Sequence, residues 1–465
     1  MVYISKKESK SPHFQKMLGL ISLTEENGCK GFRWSNKMGK YLIKPATLTG
    51  EIGIPPSKSH TLRAILFATL AKGKSVVHHY LASPDTYAMI EACRHLGAKI
   101  EVFPTCIEIR GTGGKIAYAE NVIDAGNSGI VLRFCTAIGA LGSLPIVITG
   151  DHSIRHQRPM QPLLEGLSQL GVSQSSMRGD GFAPVIIQGP IKSGKTVING
   201  EDSQPVSALL IAAAFAEGSI EIVVKNPGET PWINLTLNWL DRLGIPYENH
   251  NFTHYRLFGN ACYEGFDYTV PGDFSSAAFP IAAALVTDSE LVVRNIDMHD
   301  VQGDKELLSV FQRMGAKLHF DETQNILLVK RGGKLSGISV DINNFIDSIT
   351  ILSVLACFAD GETHIRNAAI ARRKECNRIT SIATELRKMG ADVSELEDGL
   401  IVRKSILNGA QLHSYQDHRM VMSLTVAALG ARGETLLTST ECVSKTFPTF
   451  VRDFNRLGAN IQECT

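Results

Sequence analysis

An amphipathic run ending in Leu-Gly or Met-Gly, followed at once by a short strand-like stretch, recurs six times in this chain. The copies fall at Gly97, Gly171, Gly244, Gly315, Gly390 and Gly458 of 465 residues. A second landmark precedes each copy. It is an Ala-rich, nearly all-apolar stretch closed by Gly73, Gly142, Gly218, Asp288, Gly361 or Gly433, then a β-branched run such as Ser75-Val76-Val77. Glycine there suits a helix C-terminus, where the chain leaves through a left-handed residue. The first helix of each unit is apolar all round and the second has one polar face. The unit therefore reads as strand, buried helix, strand, amphipathic helix and two strands, an α/β pattern repeated six times. Such units bury their apolar helices inside and place sheets outside. A chain this long exceeds what one core sustains, so three units per domain are expected. Pro55-Pro56 and Pro271-Gly272 mark the two crossings between domains and are hinge candidates. The predicted division is an N-terminal extension of residues 1–43, one discontinuous domain of 44–57 plus 271–465, and a second domain of 58–270.

Composition narrows the function. Hydrophobic residues make up 44% and charged residues 20%, and no apolar run is long enough to cross a bilayer. The 47 Lys and Arg balance 46 Asp and Glu to a formal +1, which gives no global attraction to nucleic acid or anionic membrane. Any basic site must be local. The nine cysteines are odd in number and form no C-x-x-C pair, which fits a reducing cytoplasm. The apolar patch Met17 to Leu23 is too interrupted for a secretory signal, and Glu8, Glu25 and Glu26 disfavour an organellar transit peptide. The expectation is a soluble, cytoplasmic monomer without metal, cofactor, nucleic-acid or membrane partner.

Basic residues collect where helices should begin. The first helices open with Ser57-Lys58-Ser59-His60-Thr61-Leu62-Arg63, Gly126 to Arg133, Asp202-Ser203-Gln204, Gly272 to Ser276, Asn344 to Asp347 and Gln416-Asp417-His418-Arg419. The second helices add Arg158-Pro159-Met160, Thr230-Pro231-Trp232, Lys374 to Arg378 and Lys445 to Pro448. Ser, Asn and Asp there are ordinary N-caps, and Pro suits a first turn. Lys or Arg beside a helix N-terminus is not explained by capping, because it meets the positive end of the macrodipole. A bound anion reverses that sign. Lys58, Arg63, Arg133, Arg158, Lys374, Arg378, Arg419 and Lys445 occupy equivalent ends of repeated units, which gathers them in one interdomain cleft for two anionic substrates. The acids in this set are Asp347, Glu375 and Asp417, with His418 beside them. Asp417 reads as a cap or as a member of the site; Asp347 and Glu375 are the acid/base candidates. His152 and His156 lie in a predicted loop without further ligands, and Gly111 to Gly114 is a turn. Met420 and Met422 read as core.

These residues carry a resemblance. The chain resembles the 5-enolpyruvylshikimate-3-phosphate synthase family from about Thr49 to Asn460. The motifs are Lys58-Ser59-x-x-x-Arg63, Gly126-Asn127-x-Gly129-x-x-x-Arg133, Arg158-Pro159-Met160, Ser203-Gln204, Arg372-x-Lys374-Glu375-x-x-Arg378, Asp417-His418-Arg419-Met420 and Lys445-Thr446-Phe447-Pro448. The resemblance implies a two-domain inside-out α/β barrel of six βαβαββ repeats. It implies transfer of the enolpyruvyl group of phosphoenolpyruvate to shikimate 3-phosphate through a tetrahedral intermediate. Ser59, Arg63, Ser203, Gln204 and Lys374 would hold shikimate 3-phosphate; Gly129, Arg158, Arg378, Arg419 and Lys445 would hold phosphoenolpyruvate; Lys58 would touch both. Asp347 would accept the proton of the attacking hydroxyl, and Glu375 with Lys58 would protonate the methylene carbon, with His418 beside them. The chain departs from the family at Asp202, usually Ser, and at Ile370, Asn377 and Phe134. Asp202 would repel a sugar phosphate unless a cation is shared. The alternatives are an enolpyruvyl transferase acting on a UDP-amino sugar, which usually carries a reactive Cys that the segment Asp151 to Gln157 lacks, and an inactive paralogue.

Overall fold

The computed structural model describes residues 21–26, 29–34, 39–116 and 119–464. Apart from an antiparallel hairpin, Ile21–Glu26 with Cys29–Trp34, the described strands form six four-stranded sheets. One plan serves all six. Within a unit the first strand runs parallel to the second, the second antiparallel to the fourth, and the fourth antiparallel to the third. The parallel pair requires a crossover, and the apolar helix supplies it. Gly194–Asn199, for example, lies beside Ile220–Lys225 with the helix Ser203–Phe215 between them in sequence. The result is an α/β fold with mixed sheets, none of which closes on itself among the described residues.

The apolar helices are inside because they have no polar face to offer water. In Lys58–Leu70, Ser203–Phe215 and Phe274–Val286 eleven of thirteen residues are buried, and in Gly129–Gly139 and His418–Leu429 all of them. Strands such as Ile220–Lys225 alternate buried and half-exposed positions, as a sheet covered on one face must. The buried apolar residues fall into two clusters. One draws on residues 41–54 and 274–461, the other on 62–270. Thr49–Gly53 pairs with Glu290–Arg294, and Asp267–Thr269 pairs with Lys74–His78, so each sheet takes in a strand from beyond a crossing. The crossings lie side by side: Ser57 N–H donates to Pro271 O at 2.7 Å, and Asp273 N–H to Pro55 O at 2.9 Å.

Two expectations are corrected. Residues 40–43 are not extension: Lys40–Lys44 is a strand between Thr435–Thr438 and Asn460–Cys464, with Tyr41 and Ile43 buried. The sixth unit thus takes its fourth strand from the start of the chain, and an alternation of five residues behind a polar run is too short to read from sequence. The other residues before 39, outside the hairpin, lie outside the described set. His152–His156 is a short helix rather than a loop, because Asp151 caps it by accepting the Ile154 N–H at 3.0 Å. Among the described residues no His, Cys, Asp and Glu cluster is placed to hold a metal ion, and no helix is long and apolar enough to cross a membrane.

The landmark glycines mark real turns. Gly97, Gly171, Gly244, Gly315, Gly390 and Gly458 all have φ between +65° and +108°. At Gly315 (φ +107°) a Cβ would also meet Lys334 O at 2.2 Å. Gly315→Ala is therefore expected to lose more than about 2 kcal/mol in urea unfolding. Gly53→Ala, where a Cβ meets nothing within 4 Å, should change it by less than about 0.5 kcal/mol.

Candidate active site

The starts of the buried helices meet the turns ahead of the amphipathic helices between the two apolar cores. Ser57, Ser128, Asp202, Asp273 and Asp417 are indeed N-caps. Asp417 is both cap and site member: it accepts the Arg419 N–H at 2.8 Å and the Arg378 Nε–H at 2.7 Å. Several cations stand before helices rather than in them, which corrects the sequence reading. Pro159 disfavours helical backbone at Arg158, so that helix begins only at Gln161. Lys374 and Glu375 follow the 3-10 turn Ala369–Arg373 and precede the helix Arg378–Lys388. Lys445 ends the turn Glu441–Lys445, and Asp347 lies in the turn Asn343–Ser348. The shift frees their long side chains to reach across to the other core.

Glu375 is the centre of one network. Its Oε1 forms an ion pair with Arg158 Nη2 at 2.9 Å and accepts from Lys445 Nζ at 2.8 Å, and its Oε2 accepts from Arg378 Nη2 at 2.8 Å. Arg378 also donates to Asp347 Oδ1 at 2.5 Å, and Arg419 Nη2 to Asp347 Oδ2 at 2.7 Å. Lys445 reaches Asn127 O at 2.8 Å and Asn127 Oδ1 at 2.6 Å. Burial alone would raise the Glu375 carboxyl, but Arg158, Lys445 and Arg378 outweigh it and hold it well below the usual range. Asp347 is likewise held well below, by Arg419, Arg378 and Lys374 against its burial. Lys58 Nζ lies 3.6 Å from Asp85 Oδ2. Its burial, reinforced by Lys445 and Arg419, lowers its pKa despite Asp85 and Glu375. Burial keeps His418 neutral, its pKa well below the ordinary value; neither ring nitrogen has a hydrogen-bond partner among the described residues, and Nδ1 lies 3.7 Å from Asp417 Oδ1.

A second wing surrounds the Ser203–Phe215 helix start. Arg133 donates to Gln204 Oε1 at 2.7 Å and pairs with Asp202 Oδ2 at 3.1 Å, so the departure Asp202 shares a cation. Burial raises the Asp202 carboxyl, but Arg133 and Lys374 hold it below its usual value. Lys374 Nζ donates to Glu229 Oε1 at 2.8 Å. A Cβ on Gly129 would lie 3.0 Å from both Arg133 Nη1 and Gln204 Oε1, so only glycine leaves this helix N-terminus open. Asp202, Ile370, Arg373 and Lys374 help line a cavity of about 50 Å³ here. Asn377 simply caps its helix, accepting the Thr380 N–H at 3.2 Å.

Arg63 stands apart. Its Nε donates to Thr236 Oγ1 at 3.0 Å and its amino groups to the carbonyls of Ser59 and Trp232, each at 3.3 Å. The guanidinium lies 5.1 Å from the centre of the Phe134 ring, the fourth departure, and burial lowers its pKa to about 9. Ser59 beside it is half-buried. Sequence reasoning missed Asp85, Asn127, Glu229 and Asp304. Asp85 lies in the first turn of the helix Pro84–His95, where an acid is ordinary, and Asn127 entered only as part of a motif. Glu229 lies just ahead of Thr230-Pro231, where the helix signal drew the attention. Asp304 is buried, and neither carboxylate oxygen has a partner among the described residues.

Removing one partner of a buried pair leaves an uncompensated charge, so Asp417→Ala is expected to cost about 3–5 kcal/mol in chemical unfolding. Glu375 has a lowered folded pKa, so its stabilisation is complete above the unfolded value and is lost as pH falls through the folded one. The stability advantage of wild type over Glu375→Gln should be constant above about pH 5 and shrink below about pH 4, read from urea midpoints.

A family model described as EPSP synthase (3-phosphoshikimate 1-carboxyvinyltransferase) matches residues 42–454. The chain is 45% identical over 425 residues to the 3-phosphoshikimate 1-carboxyvinyltransferase of Chlamydia caviae, covering 91% of this chain and 94% of that one. It is 43% identical over 422 residues to the enzyme of the same name from Acetivibrio thermocellus, covering 91% and 99%. A solved structure of EPSP synthase from Acinetobacter baumannii matches 92% of this chain and 100% of its own with a TM-score of 0.78 at 27% identity. Likeness of this extent, in sequence as in fold, means that the chain belongs to the EPSP synthase family.

Proposed function

We propose that the chain transfers the enolpyruvyl group of phosphoenolpyruvate to the 5-hydroxyl of shikimate 3-phosphate and releases inorganic phosphate. One observation carries the reading: the two candidate acid/base carboxylates, Asp347 and Glu375, are the counter-charges of the buried cations Arg158, Arg378, Arg419 and Lys445. Those cations, with the open N-terminus at Gly129, would take the phosphate and carboxylate of phosphoenolpyruvate. Ser59, Arg63, Ser203, Gln204 and Lys374 would hold the acceptor, and Lys58 both substrates. Sharing its cations with a substrate anion raises the pKa of Glu375, which turns a carboxylate into a proton donor. In the addition step the hydroxyl oxygen bonds to C2 of the enol, its proton passes to Asp347, and Glu375, with Lys58, protonates the methylene. In the elimination the new methyl returns a proton to Glu375, the C2–O bond to phosphate breaks, and phosphate leaves with the proton held on Asp347. Neutral His418 would donate or accept one hydrogen bond within the site. Fixed charges aimed at the reacting groups supply the catalysis.

The same reading extends to architecture. Six sheets of one strand order and two separate apolar cores support two inside-out α/β barrels of three units each, residues 44–57 with 271–465 and residues 58–270, the first now including the strand from Lys40. Few large apolar residues are exposed among the described residues, Leu144, Met177 and Ile406 among them, which supports a monomer. Eight described cysteines are free, which supports a reducing cytoplasm.

The test is phosphate release with shikimate 3-phosphate and phosphoenolpyruvate, with mass detection of the enolpyruvyl product. Asp347→Ala is expected to lower kcat by about 10²–10⁴. Product from a UDP-amino sugar but not from shikimate 3-phosphate would reverse the acceptor assignment.

A further inference from the structure

Donors suited to an acceptor's phosphate are already engaged, and by the chain itself. Glu229 precedes the helix Thr230–Arg242; it is 2% exposed and has left-handed backbone at φ +47°. Few non-glycine residues adopt that conformation, and it clusters at functional sites. Its N–H donates to Asn343 Oδ1 at 2.9 Å, so the turn is held from the opposite core. Its Oε2 accepts the N–H and the hydroxyl of Ser203, both at 3.2 Å, and its Oε1 accepts from Lys374 at 2.8 Å. A helix-terminal N–H, a hydroxyl and an ammonium are what a phosphate oxygen takes. Asp202 covers Arg133 in the same way at 3.1 Å. Arg133, Lys374, Asp202 and Glu229 together sum to no net charge, whereas a phosphate monoester brings about two negative charges above neutral pH. Asp304, from the turn Gly303–Lys305, also faces this group, but burial raises its carboxyl well above the ordinary value against the pull of Arg419, so it favours the neutral form.

We infer that, given the acceptor assigned above, Glu229 determines affinity and specificity by occupying the phosphate's position in the free protein, so that binding of the phosphorylated acceptor displaces it and takes up a proton. Burial, then the charge of Asp202, already raises the Glu229 carboxyl against the pull of Lys374. A phosphate nearby raises it further. Above its free-protein value Glu229 is ionised before binding and protonated after, so the acceptor KM rises with pH by up to about tenfold per unit. The phosphate's own titration, near pH 6, lies below this range.

The experiment measures KM for shikimate 3-phosphate at saturating phosphoenolpyruvate from pH 7 to 9 in wild type, Glu229→Gln and Glu229→Ser. Wild-type KM should climb with pH. Both variants should lose the slope and bind about tenfold or more tightly at pH 8.5, with the change in KM rather than kcat. Titration calorimetry of wild type in two buffers of different ionisation enthalpy should show close to one proton taken up per acceptor bound. Turnover with no proton uptake, or a slope retained in Glu229→Gln, overturns this inference and leaves the reaction standing. No turnover of the phosphorylated acceptor by wild type or either variant means that the proposed reaction itself is wrong.

Discussion

A charge taken out of water must find another charge, and the site of this protein is organised by that demand. Moving one ion into the interior costs several kcal/mol even after relaxation, and only well-placed partners offset it. Arg133, Arg158, Arg378, Arg419 and Lys445 are all buried, and each has a carboxylate within 3.1 Å. Arg63 is the exception: it is satisfied by carbonyls, a hydroxyl and an aromatic face instead. A site that binds two anions has to keep its cations charged while it waits for them, and the chain's own carboxylates hold the place.

In the proposed reaction that arrangement lets acids held well below their usual pKa serve in proton transfer. Glu375 stays ionised because three cations converge on it, not because of anything intrinsic to its side chain. A substrate that competes for those cations removes the cause. In the free protein the carboxylates are the counter-charges of these cations; in the proposed reaction they become the groups that move protons. The proposed role of Glu229 extends the same logic to the wing around Ser203, where it acts on acceptor affinity and specificity rather than on the reacting atoms.

The fold serves this electrostatics by repetition. Each unit buries an apolar helix whose N-terminus points toward the junction of the two cores, and the crossings at Pro55-Pro56 and Pro271-Gly272 lie bonded together there. Six helix starts and the turns between them can then contribute to one cleft. No single unit holds a complete site: Lys374 finds Glu229, Arg158 finds Glu375 and Lys445 finds Asn127 only across the junction.

The sequence by itself determined the repeat, because periodicity and left-handed glycines are local signals. The six glycines predicted to end the amphipathic helices all adopt positive φ. It also singled out cations that the structure buries and pairs with carboxylates, because Lys and Arg beside helix starts are unfavourable without an anion. Tertiary structure alone decided the partners. Asp85, Glu229 and Asp304 resemble ordinary helix-end residues until the other core is placed against them. The strand Lys40–Lys44 looked like extension because it pairs with Thr435–Thr438 and Asn460–Cys464, at the far end of the chain. Pairing of charges and strands across such separations depends on proximity in space, which no local pattern encodes.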